Sequence, residues 1–278
     1  MIEPSESTEL PAAPTNSANP SPGTNSAGST PTPWPKPFPW LSFVLPLAVY
    51  MLVNSLEPSP PDPDKPAFAV LGVIIPYSAY PLVYTIKIAL TMIVMAAVWP
   101  GYRQFAPRLS PLAPVVGVVG VVLWIGLCKL HLESTLLSPL GLDWLLGTGA
   151  RSAFNPWEHW PDRPLVAGSF LAVRFWGLAV IVAIIEEFFL RGFVMRFCIE
   201  PQWWTVPIGS LTPTAAVVGM LYGVLTHPAE ILAAAAWFTL ITWLGFKTKN
   251  IWDCVIAHAV TNLLLGVYVV TSGDWVLW

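Results

Sequence analysis

Trp176–Arg196 reads WGLAVIVAIIEEFFLRGFVMR, an apolar run interrupted near its middle by Glu186, Glu187 and Arg191. Its length suits a helix crossing a bilayer, which takes about 20 residues. Each charge near the bilayer centre costs on the order of 2.5–3.5 kcal/mol, so three in one segment need a reason, and in membrane segments that reason is usually function. Helical geometry separates the roles. Glu187 and Arg191 are spaced i,i+4 with the acid first, so they lie one above the other and can neutralise each other. Glu186 sits about 100° around the helix from Glu187 with no partner in its own segment. A carboxylate in that position calls for a group from another helix.

Working outward, the remaining chain is of the same kind. Of 278 residues 55% are hydrophobic and only 10% are charged, and mean hydropathy is +0.62, too little charge to cover a soluble surface. Apolar segments fall at about 38–54, 80–99, 111–130, 166–198, 205–227, 229–246 and 251–271. The expectation is an all-α, polytopic transmembrane helical bundle of about seven to eight helices, with Pro66–Ser78 as the candidate eighth. Residues 1–37 are rich in Pro, Ser and Thr and are expected to be a disordered tail. The tail lacks the basic start and early apolar run of a cleaved signal peptide. That leaves 38–278 as the transmembrane domain, with its catalytic core at about 166–271. Arg103, Arg108, Arg196, Lys247 and Lys249 fall at helix ends that seven crossings put on one side, opposite Glu57, Asp62 and Asp64. By the positive-inside rule the N-terminus is expected to be cytoplasmic, although a crossing at residues 66–78 would move that end to the other side, and the expected location is a cell (inner) membrane. The loop His131–Pro164, with Trp144, Trp157, Trp160, Asp143, Glu158 and Asp162, reads as an extracytoplasmic cap suited to the interface. A net charge of −3 without a dense basic run argues against nucleic acid as a partner. Cys128, Cys198 and Cys254 lack CxxC spacing and read as small apolar residues.

Two further segments carry polar residues. LTPTAAVVGMLYGVLTHP, from Leu211, ends its apolar run at His227 before Pro228, and IWDCVIAHAVTNLLLGVYVV, from Ile251, holds His258 and Asn262 at i,i+4 on one face. Either could be a structural feature when taken alone, an interfacial histidine in one case and a polar pair joining helices in the other. Together with Glu186 they supply a carboxylate, two imidazoles and an amide, a set able to bind and deprotonate a water. Two His and one Glu also form a catalytic zinc set with an open position, although the helical HExxH spacing is absent. Lys87, in VYTIKIAL, reads as snorkelling or meeting a carboxylate, and Arg174, about 18 Å of helix from Glu186, as an interface anchor.

The order Glu186-Glu187-Phe188-Phe189-Leu190-Arg191, then the stretch ending at His227, then His258-Ala259-Val260-Thr261-Asn262 resembles the EExxxR, FxxxH and HxxxN motifs of the CAAX-protease and bacteriocin-processing family of intramembrane peptidases. FLAVRFWG from Phe170, the His227–Pro228 step and the Ile251 segment extend the likeness to the CAAX-protease-related subgroup that accompanies exosortase and PEP-CTERM sorting systems. One element departs: the family's aromatic four residues before the histidine is Gly223 here, with Tyr222 one position earlier. The resemblance implies peptide-bond hydrolysis with Glu186 as the base that activates water, assisted by His227. His258 and Asn262 would hold the water or stabilise the oxyanion, and Glu187 and Arg191 would support them. The water is held either by these side chains or by a divalent metal, zinc being the candidate, on Glu186, His227 and His258; the metal is the expectation. Expected partners are membrane lipid, a peptide or protein substrate in or near the membrane, and components of an exosortase system. Two alternatives use the same residues, a non-catalytic scaffold or immunity-type protein and a proton-coupled transporter. The second is weakened by the lack of internal repeats.

Overall fold

A computed structural model describes residues 40–61, 69–70, 73–137 except 131, 139 and 153–278. The 1–37 tail lies outside the described residues, as do Asp62, Asp64, His131, Asp143 and Trp144. Among the described residues seven helices build the bundle: α1 Leu41–Asn54, α2 Tyr80–Tyr102, α3 Leu112–Leu130, α4 Pro164–Phe197, α5 Pro213–Thr226, α6 Ile231–Thr248 and α7 Ile251–Ser272. Shorter turns of helix occur at Leu132–Leu137 and Pro156–His159. Five helices, α2, α3, α4, α6 and α7, are long and apolar enough to cross a membrane. The chain is an integral membrane protein. Leu82, Ile93, Val122, Leu165 and Leu225 stand exposed on the outside of the bundle, the lipid-facing pattern, while the buried set includes Lys87, Arg174, Glu186, Glu187 and Arg191.

Two expectations change. The described part of Pro66–Ser78 is an antiparallel pair of two-residue strands, Ala69–Val70 with Val73–Ile74, followed by a 3-10 turn at Tyr77–Ala79, so it supplies no eighth crossing. The fifth segment is not one long helix from 205 to 227. A turn through Gly209, at φ +75°, follows Pro207, and α5 starts only where Thr212 caps it, its side chain accepting from the Ala215 amide, with Pro213 in the first turn. Its 14 residues span roughly 21 Å, less than the hydrocarbon thickness. α5 ends at His227, which lines the same cavity as Glu186 from the middle of α4.

Close packing fixes the helices that carry the site. α3 lies against α6 and α7, and a Cβ on Gly117 would fall 2.7 Å from the Ala257 carbonyl, so only glycine permits this approach. Thr261 locks it by donating to the Gly117 carbonyl at 2.9 Å. This contact seats the face of α7 that bears His258. α7 is bounded sharply by its Asn250 cap, which accepts from the Trp252 amide, and by Gly273 at φ +76°.

The basic helix ends gather at one face. Asn250 donates to the Arg108 carbonyl, Lys249 Nζ reaches the Gly209 carbonyl at 2.7 Å, and Arg196 Nε reaches the Val206 carbonyl at 2.7 Å.

Candidate active site

Within α4 the backbone departs from a regular α-helix twice. Residues Gly177–Val182 and Leu190–Val194 form wider π turns, and the α-helical stretch Ala183–Phe189 between them carries both glutamates. Such turns inside helices are frequent at functional sites. Glu187 is fully buried, and its carboxylate is held twice. Arg191 Nη1 donates to Oε2 at 2.7 Å, the pair expected from the i,i+4 spacing, and His258 Nδ1 meets Oε1 at 2.9 Å. Arg191 is fixed in turn by α6, through the Phe238 carbonyl at 3.3 Å and Thr242 Oγ1 at 3.2 Å. The i,i+4 spacing indicates Glu187 as the partner of Arg191, whereas its hold on His258 depends on the packing of α7 against α4.

That second contact sets the chemistry of His258. A carboxylate oxygen accepts, so Nδ1 carries a proton, and in the matching neutral tautomer Nε2 would be the acceptor nitrogen. Nε2 stands 3.9 Å from Glu186 Oε2, just beyond direct hydrogen-bond distance. Glu186 is 7% exposed and His258 5%, so both act in a largely dry setting.

His227 follows α5 directly. Its Nδ1 lies 3.1 Å from the Gly223 carbonyl and 3.0 Å from Thr226 Oγ1, which places the Nδ1 proton toward that carbonyl. The missing family aromatic now has a physical account. A Cβ on Gly223 would meet the Phe238 ring at 2.2 Å, so a side chain from α6 already fills that space. Phe238 and Trp124 are the rings against His227, at 5.7 and 5.3 Å between centroids, while Tyr222 packs on Phe189 and Phe238. Asn262, half-buried, donates one N–H to the Leu178 carbonyl at 2.9 Å, in the first π turn of α4. Its second N–H remains for another acceptor.

Glu186, His227, His258 and Asn262 all line one cavity of about 360 Å³ inside the bundle. The scaffold alternative does not require this convergence. Residues left out of the sequence-derived site line the cavity too: Glu57, Lys87, Arg174 and Glu230. Lys87 meets a carboxylate, Glu57 at 2.6 Å. Arg174, expected to anchor an interface, is 2% exposed and lines the cavity. The Ser59–Pro60 part of the wall is exposed, so the cavity reaches the surface by the loop after α1, at the face opposite Lys249 and Arg108.

Residues 168–264 match the sequence model of the family described as type II CAAX prenyl endopeptidase Rce1-like. Over that stretch the chain is similar to the CAAX-protease family. No curated protein and no solved structure matches the chain. The match holds all four cavity residues, Glu186, His227, His258 and Asn262, and leaves α1–α3 outside it. It supports a CAAX-type intramembrane endopeptidase with a peptide substrate in a lipid environment. The metal expected on this CAAX-type core finds no assembled ligand set: among the described residues no group of three His, Cys, Asp or Glu side chains stands close enough to hold an ion.

Proposed function

We propose that the chain hydrolyses a peptide bond with a water activated directly by Glu186 beside His258. The observation that carries this reading is the 3.9 Å pair of Glu186 Oε2 and His258 Nε2 facing one cavity, with the ring held in its tautomer from behind by Glu187. The water donates one hydrogen bond to Glu186 and the other to His258. Glu186 takes a proton as the oxygen attacks the scissile carbonyl carbon, the second N–H of Asn262 serves the developing oxyanion, and the leaving amine receives the proton from Glu186 as the C–N bond breaks. His227 assists as the second imidazole bordering the same space. In cellular terms the reading is processing of a membrane-borne C-terminal region, in an exosortase-linked sorting system or in a CAAX-like manner.

The test is cleavage by protein reconstituted in lipid vesicles, with a PEP-CTERM-type sorting peptide and a prenylated CAAX peptide as substrates. Glu186→Gln keeps the shape but cannot take the proton, so the rate should fall by about 10²–10⁴ with the unfolding temperature unchanged. A variant that keeps most of its activity would end the reading. The same assay with a zinc chelator separates the two ways of holding water. Unchanged rates support side chains alone, and loss restored by zinc assigns an ion to Glu186, His227 and His258.

A further inference from the structure

Three buried cations of the described residues lie in the transmembrane core around the cavity, and they are compensated differently. Arg191 has Glu187 at 2.7 Å, and Lys87 has Glu57 at 2.6 Å together with Asn54 Oδ1 at 2.8 Å. Arg174 has no carboxylate partner among the described residues. Its Nη1 donates to the Phe154 carbonyl at 3.0 Å, its guanidinium lies over the rings of Trp278 and Tyr80 at 4.5 and 5.7 Å, and its buried Nε has no hydrogen-bond partner. Arg196, the other buried arginine, is a different case. It sits at the basic face, away from this cavity, and donates to three backbone carbonyls.

A full positive charge removed from water without an anion is costly, and aromatic faces return only part of that cost. The position adds meaning to the charge. Arg174 precedes Glu186 by 12 residues on the same helix, and at about 100° per residue the two would point roughly 120° apart. The six residues of π turn between them advance less per residue and remove most of that offset, so both side chains line the same cavity. The separation along the helix is at most about 18 Å. An extended peptide covers that span in about five residues.

We infer that Arg174 is a specificity-determining subsite that receives a carboxylate of the peptide, no more than about five residues from the bond cleaved at Glu186. The carboxylate is either the free main-chain terminus or an acidic side chain. The guanidinium offers a planar fork suited to it, and the anion supplies the partner that the fold does not. This inference rests on the peptidase reading, so its test reads binding and not turnover.

The probes are three dansylated apolar pentapeptides, one with a free C-terminus, one amidated, and one amidated with a single Glu, bound to the Glu186→Gln protein in phosphatidylcholine vesicles. The free acid should bind at least tenfold more tightly than the plain amide. In Arg174→Gln that ratio should fall below two, and Arg174→Lys should keep part of it. Tight binding of the Glu-bearing amide assigns the subsite to any carboxylate; its weakness assigns it to the main-chain terminus. Equal binding of acid and amide overturns the inference without requiring any Arg174 variant to fold. An acid preference that survives in Arg174→Gln overturns it as well. So does equal binding combined with competition by phosphatidylglycerol, which would give the site to a lipid phosphate. Carboxylate-dependent binding in a wild-type protein that cleaves nothing would instead count against the peptidase reading alone.

Discussion

Glu187 joins two functions in one carboxylate, neutralising Arg191 and orienting His258. Substituting Gln keeps a hydrogen-bond acceptor but leaves Arg191 as a buried charge without its ion pair, a change that costs about 3–5 kcal/mol where such pairs are broken. Glu187→Gln should therefore lower the unfolding midpoint markedly. Adding Arg191→Met removes the stranded charge and should recover most of the stability. Activity should not return in the double variant, because His258 still lacks the anion that fixes its Nδ1 proton and strengthens Nε2 as an acceptor. Recovery of both together would mean that Glu187 acts only through Arg191. The i,i+4 half of this account was legible in the sequence because it needs only one helix. The His258 half depends on how α7 packs, through Gly117 and Thr261, and no local pattern reports that.

At the scale of elements, helix existence was legible from apolar length, and helix ends and register were less so. The apolar run before His227 continues back through Trp203 and Val206, but Pro207, Gly209 and Pro213 stop the helix that hydropathy alone would extend. The two π turns of α4 leave no mark in residue type, and a regular α-helix is what sets Arg174 on the wrong face. Gly223 shows the same limit. As a departure from the family pattern it looked like a lost aromatic, whereas in three dimensions the space is taken by Phe238 from the neighbouring helix. Gly223→Ala should therefore cost about 1–3 kcal/mol as an overpacking change and should lower activity, since the displaced Phe238 borders His227. Pairing it with Phe238→Leu opens the space and should return part of the stability in a chemical unfolding series. If Gly223→Ala alone is neutral, the close α5–α6 contact does not hold the site.

For the whole molecule, the direction of the cavity decides what can reach the chemistry. The basic residues collect where Arg108, Arg196 and Lys249 meet, and the cavity opens beside Ser59 at the other face. Positive residues mark the cytoplasmic side because they resist translocation, so the mouth should face outward, toward a substrate already delivered across the membrane. A single cysteine introduced at Ser59 or at Lys249, in protein whose Cys128, Cys198 and Cys254 are replaced, tests this with an impermeant thiol reagent on intact cells. Ser59→Cys should label before lysis and Lys249→Cys only after it. The reverse pattern would turn the cavity toward the cytoplasm and favour a substrate that has not been exported. Labelling at Ser59 should also slow when a processed peptide is supplied in excess, because the same opening would then be its route to Glu186.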